Sequence, residues 1–253
     1  MMTNSSEVDL SKYFPIPSQT SDEDKVFLLL AIQLLKDQLK SFRYLEIGSF
    51  LGGSLAPFLM EDACSSILSI DDRNRNMPDE RGALYDYTGV SNDTMIENIH
   101  SHKLSTDKLS VFDGSSNEIP LQENKFDFAF IDGEHTDEAT FRDFVHVLPL
   151  LNNDSIVTFH DSTMIYKAIK MVAILLTQQK VPFQLFKRAN SEMTCLGLGS
   201  FSGINLSAHL GQPDDLQDFY TRSEASNLSQ QINNRVSFTV NYTIKPPPTF
   251  KMI

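Results

Sequence analysis

Short apolar runs rich in aromatic and β-branched residues recur at 43–48 (RYLEIG), 66–71 (SILSID), 108–113 (KLSVFD), 126–132 (FDFAFID) and 155–161 (SIVTFHD). Between and before them lie stretches whose apolar positions repeat at helical spacing, at 22–39, 53–60, 91–102, 136–148 and 163–179. That alternation predicts βαβ units and a parallel sheet. The stretch 22–39 opens on acidic residues and carries Lys36 toward its end, which complements a helix dipole. The stretch 163–179 has Asp161 or Ser162 as its expected cap. After it, PFQLFKR and TCLGLGSF, joined by NSEM, read as an antiparallel hairpin.

Two segments break the alternation. Residues 73–90, RNRNMPDERGALYDYTGV, are rich in charge and turn formers and longer than ordinary connections, which marks a lid over a site. Beyond Gly203 the pattern weakens: 214–232 reads as helix, RVSFTVNYTI as an edge strand, and the prolines at 246–248 as extended chain. This tail serves either as a substrate cover or as an oligomer arm, and the residues do not choose. The implied organisation is an N-terminal helical extension over 1–40, a principal domain over 41–202, and a C-terminal extension over 203–253.

Composition narrows the partners. The 253 residues suffice for one large α/β core. The formal charge of -12, from 21 Lys and Arg against 33 Asp and Glu, repels a phosphate backbone and argues against nucleic acid. Cys64 and Cys195 sit far apart in apolar contexts and are expected as buried, reduced thiols. No apolar run approaches the roughly 18 residues that cross a bilayer, so a soluble, cytoplasmic protein with no membrane partner is expected. The sequons at Asn205, Asn227 and Asn241 are short enough to be chance matches.

Candidate chemistry gathers where strands end. Gly48, Gly52 and Gly53 follow the first strand and let the backbone turn and approach a ligand. Their spacing, G-S-F-L-G-G, is not the G-x-G-x-x-G of a dinucleotide pyrophosphate site, and Glu46 precedes them where it can meet a cation. The second strand ends in Asp71, 23 positions after Gly48 and near the spacing at which a carboxylate grips ribose. Asp113, Gly114 and Ser115 close the third strand with groups able to hydrogen-bond a base edge. The fourth strand ends in Asp132, with His135 three residues on, and the fifth in His160 and Asp161.

Together these residues resemble the class I S-adenosylmethionine-dependent methyltransferases, whose first motif runs acid, any residue, Gly, three residues, Gly, here Glu46 to Gly52. FDFAFIDGEHTDEATFRDF followed by SIVTFHD is similar to the small-molecule O-methyltransferase branch that includes catechol-type, macrocin-type and cephalosporin-cluster enzymes. The likeness spans about residues 40–200. It implies an α/β, Rossmann-like, doubly wound and mostly parallel seven-stranded sheet with an antiparallel terminal strand and helices on both faces. It also implies S-adenosylmethionine as cofactor, with Glu46, Gly48, Ser49, Gly52 and Ser54 around its methionine part, Asp71 at the ribose, and Asp113 with Ser115 at the adenine. Asp132 would stand beside the cofactor and, with Asp161, hold Mg2+ or a similar divalent ion. His135 is then a third ligand or a general base, and His160 a second proton acceptor. The His-Asp pair departs from the two acids that metal-dependent members often carry at that strand end. A small-molecule acceptor, a sugar or polyhydroxylated natural product, follows from the same likeness, as does a homo-oligomer.

Overall fold

The structure, a computed structural model, describes residues 8–120 and 125–243, the stretch 235–243 as backbone alone. Helix α1 (Asp22–Leu39) starts at a capping box in which Ser21 accepts from the Asp24 backbone N–H and the Asp24 carboxylate accepts from that of Ser21. Strand β1 (Phe42–Ile47) follows, then the short helix α2 (Ala56–Met60) and strand β2 (Cys64–Asp71). Two three-residue strands, β3 (Asn76–Pro78) and β4 (Leu84–Asp86), form an antiparallel ribbon of their own. Next come α3 (Asn92–Ser101), β5 (Leu109–Asp113), β6 (Phe126–Ile131), α4 (Asp137–Val147), β7 (Leu151–Phe159) and α5 (Tyr166–Gln178). The antiparallel pair β8 (Phe183–Lys187) and β9 (Thr194–Leu198) leads to α6 (Leu206–Leu210) and the long α7 (Leu216–Thr243).

The main sheet has the order β5-β2-β1-β6-β7-β9-β8. β5, β2, β1, β6 and β7 pair in parallel, and β9 runs antiparallel between β7 and β8. Alternation along β1 and β6 builds two cores, as a period of two requires. Tyr44, Phe128 and Phe130 point to the layer of α1, α2 and α3, where Tyr44 stacks on Phe58 with centroids 3.7 Å apart. Leu45, Ile47, Ala129 and Ile131 point to the opposite layer, where they pack with Phe144 and Val147 of α4 and Ile169 and Val172 of α5. Burial on both faces explains why these strands read as nearly continuous apolar runs. This is the doubly wound fold expected from the sequence.

The elements differ from expectation at three places. Residues 53–55 are turn rather than helix, because Gly53 packs directly on Pro17 and Ser18 and α2 starts only at Ala56, with Pro57 in its first turn. Neither Asp161 nor Ser162 caps α5: residue 161 takes a left-handed conformation (φ 48°), a turn intervenes, and the helix opens after Ile165 without a side-chain cap. RVSFTVNYTI is helical through Thr243 as the last turns of α7, so its alternation does not mark a strand, while the prolines at 246–248 lie outside the described residues. Both cysteines are buried free thiols, and burial raises each to about 12. Among the described residues no helix is long and apolar enough to cross a membrane.

Candidate active site

The carboxyl ends of the parallel strands are tied into one edge by backbone bonds that continue the ladder. Gly48 N–H donates to Ile70, Asp132 N–H to Ile47, His160 N–H to Ile131 and Gly114 N–H to Asp71. The chain runs outward from β1 in both directions, through β2 to β5 and through β6 to β7, so the crevice between β1 and β6 is the topological switch point. A cavity of about 270 Å³ opens there. The loop at Gly48, the segment Pro17–Thr20, the β3–β4 ribbon and the ends of β6 and β7 enclose it. A narrower cleft continues past Asp71 toward Ser115 and shares Gly48, Asp71, Met77 and Gly133 with the cavity.

Gly48 has φ +87° and lies so close to the Asp132 carbonyl that a Cβ would overlap it. Glycine is required there on both counts. Ser49, Ser54 and Asp71 line the cavity, but Gly52 does not; it packs on Ile99 of α3. Glu46 lies beneath the loop, fully buried, with one oxygen accepting from Tyr44 Oη and the other from Ser54 Oγ, each at 2.5 Å. Burial drives its pKa to about 8 against the pull of those two bonds. Glu46 thus braces the glycine loop from below and does not face the cavity. Asp71 accepts from Phe50 N–H at 2.9 Å, and burial raises its carboxyl despite Arg73 at 3.6 Å. Ser115 reaches the narrower cleft, whereas Asp113, the register partner of Asp71, is exposed and lines neither space.

On the other side of the switch point Asp132, His135 and Asp161 offer ligand atoms all within 4.8 Å of one another. His135 Nε2 lies 3.1 Å from Asp161 and 3.7 Å from Asp132. His160 Nδ1 lies 2.9 Å from Asp132 and 3.3 Å from Asp161. Burial opposes charge on both imidazoles, yet the surrounding carboxylates win and raise both, His160 by the larger amount. Asp161 is itself held below the ordinary carboxylate range, because the two histidines outweigh the effect of its burial.

Asp24, Arg73, Arg81 and Gln19 were not singled out by sequence reasoning. Asp24, almost wholly buried, reaches from α1 beneath the site and accepts from Ser191 Oγ, Glu192 N–H and Ser21, with His160 Nε2 at 3.4 Å. These partners hold its carboxyl far below the usual range although burial works the other way. Its only trace in the sequence is S-x-x-D at a helix start, which reads as a cap alone. The 73–90 segment, expected as a lid, contributes Arg73, Met77, Arg81, Tyr85 and Tyr87 to the cavity wall.

Residues 45–162 match the family model described as a methyltransferase domain. No curated protein matches the sequence. Among solved structures, the O-methyltransferase NovP is similar over 70% of this chain and 78% of its own at 13% identity, with a TM-score of 0.52, a likeness of fold. The O-methyltransferase TomG from Streptomyces achromogenes, determined in complex with SAM, is 14% identical over 77% of this chain and 87% of its own (TM-score 0.49). An O-methyltransferase from Bacillus cereus, in complex with SAH, is 15% identical over 75% and 94% (TM-score 0.47). With the domain match at 45–162, the doubly wound sheet and the glycine loop at its switch point, the chain carries a methyltransferase domain.

Proposed function

We propose that the protein transfers a methyl group from S-adenosylmethionine to a hydroxyl of a small molecule, a sugar or polyhydroxylated natural product, with the help of a divalent ion. The observation that carries this reading is the convergence of Asp132, His135 and Asp161 on the wall of the cavity that also holds Ser49, Ser54 and Asp71. The two adjoining spaces suit an elongated cofactor, with Asp71 free to accept from ribose hydroxyls through the oxygen that Phe50 does not occupy and Ser115 at the far end. The glycine loop supplies close backbone approach and no pyrophosphate cradle, as a sulfonium ligand requires.

The donor set fits a divalent ion: two carboxylates and one imidazole, already within reach of a common centre. Two carboxylates suit Mg2+ or Mn2+, and the imidazole favours Mn2+ of the two, because Mg2+ is the harder ion and prefers oxygen alone. When bound, such an ion would act as a Lewis acid that lowers the proton affinity of the acceptor hydroxyl. A sulfonium methyl is already activated, so the remaining work of the chain is to orient and dry the reactants. His135 belongs to that donor set, which leaves His160, fixed between Asp24 and Asp132, as the imidazole beside the acceptor; the carboxylates hold it charged, and a divalent ion on Asp132 and Asp161 would favour the neutral form that can take the proton. Tyr85 and Tyr87, with rings 6.4 Å apart and 20° from parallel, offer flat walls to the acceptor.

The test is methyl transfer to an acceptor panel after EDTA treatment, with Mg2+ or Mn2+ added back. Turnover restored by either ion supports the assignment, and turnover indifferent to EDTA rejects the metal.

A further inference from the structure

We propose that Arg81 recognises an anionic group on the acceptor, so that the substrate carries a carboxylate or phosphate in addition to the hydroxyl that is methylated. This rests on the methyltransferase reading of the cavity and defines its acceptor side.

Arg81 sits in the turn of the β3–β4 ribbon and lines the cavity with Tyr85, His135 and Met164. Its guanidinium is poorly served by the protein. Nη2 meets the Met164 thioether sulfur at 2.6 Å, a weak acceptor. Nε stands 3.5 Å from Asp79 Oδ2, and the other oxygen of Asp79 is spent on the backbone N–H groups of Arg81 and Ala83. A guanidinium offers five donors in a planar fork that matches a carboxylate or phosphate in two-pronged fashion. The second arginine on the cavity wall behaves differently. Arg73 has a side chain only 2% exposed, pairs with Asp71 and donates to the oxygens of Asn92 and Ser69, whereas Arg81 is 24% exposed.

The turn that presents Arg81 is anchored from several elements. Glu80 N–H donates to the His135 carbonyl at 3.0 Å, and the Glu80 carboxylate accepts from Asp137 N–H at 2.7 Å. From α7, Gln231 donates to the Glu80 carbonyl at 2.9 Å and Asn234 to the Arg81 carbonyl at 2.6 Å. A cation held in place before its ligand arrives loses little freedom on binding, which is how preorganised sites gain affinity. Arg81 is also near enough to Asp161 to help hold that carboxyl down, so it faces the same space as the Asp132, His135 and Asp161 group. An acceptor hydroxyl at that group and a remote anion at Arg81 would place the body of the molecule along Tyr85 and Tyr87.

The experiment measures methyl transfer from radiolabelled S-adenosylmethionine by the full chain, with Mg2+ or Mn2+, to matched acceptors. These are glucuronate and glucose 6-phosphate against glucose, and 3,4-dihydroxybenzoate against its amide. Wild type should favour an anionic member over its neutral partner by about 10- to 100-fold in kcat/KM, the range expected of a charge-assisted pair. Arg81→Met should collapse that ratio through KM for the anionic member, and Arg81→Lys should restore part of it. The phosphate and carboxylate arms tell the two sources apart. Equal use of charged and neutral partners, a preference that survives Arg81→Met, or no turnover of any anionic member by a protein that binds S-adenosylhomocysteine would each overturn the proposal. Failure to bind S-adenosylhomocysteine at all would instead overturn the methyltransferase reading beneath it.

Discussion

Replacing Glu46 with Gln should make the protein more resistant to alkaline pH. In the folded chain this buried carboxyl titrates near 8 rather than at its ordinary 4.5, because burial penalises the carboxylate more than Tyr44 and Ser54 stabilise it. Between those two values the folded state keeps a proton that the unfolded state has released. Stability from Glu46 is therefore complete below about pH 4.5 and is lost as pH rises through the interval, at about 1.4 kcal/mol per pH unit for one proton. Raising the pH from about 5.5 to about 7.5 should cost the wild type about 2 to 3 kcal/mol through this group alone. Glutamine keeps the shape of the neutral acid, can accept from Tyr44 and donate to Ser54, and does not titrate. Urea unfolding of both proteins across that range gives the difference directly, since titrations common to both cancel. The variant should gain on the wild type by that amount as pH rises. Parallel profiles would show that Glu46 is ionised at neutral pH and refute the burial argument.

Asp132→Ala should abolish methyl transfer while S-adenosylhomocysteine binding, read by calorimetry, stays within a few fold; retained turnover would remove Asp132 from the chemistry. Gly48→Ala forces a Cβ into the Asp132 carbonyl at positive φ, and should cost several kcal/mol in urea unfolding or prevent folding. Asp24→Asn replaces a buried charge that serves Ser21, Ser191, Glu192 and His160, and should destabilise by about 3 kcal/mol above about pH 4, the difference from wild type shrinking as pH falls below that value and the lowered carboxyl loses its advantage. A double change of Gln231 and Asn234 to Ala should speed amide hydrogen exchange at 79–83 without altering exchange in β1 or β6, and unchanged exchange there would deny α7 its hold on the ribbon.

The order of strands and helices was legible because residues in β1, β2, β6 and β7 are apolar on both faces and are bounded by small polar residues where each strand stops. The same punctuation exposed Asp71, Asp132 and the 160–161 pair, since a strand end in a parallel sheet fixes where a side chain emerges. What escaped depends on contacts between distant segments. Asp24 gave only a capping signal, yet it lies 136 positions from His160 in the chain and meets it at the carboxyl edge of the sheet. Glu46 read as a cavity residue because its neighbour Gly48 is one, but the strand pleat turns its side chain down onto Ser54. The ribbon at 76–86 is too short to announce itself by alternation, and α7 mimicked a strand in its last turns because β-branched and polar residues alternate there.

The proposed function has the glycine loop and Asp71 hold a sulfonium nucleoside, not a dinucleotide. Calorimetric titration of the full chain with S-adenosylmethionine and, separately, with NAD tests it most directly. One-to-one binding of S-adenosylmethionine, weakened by Asp71→Ala, with no heat from NAD, is the predicted result. Saturable binding of NAD with none of S-adenosylmethionine would contradict the account.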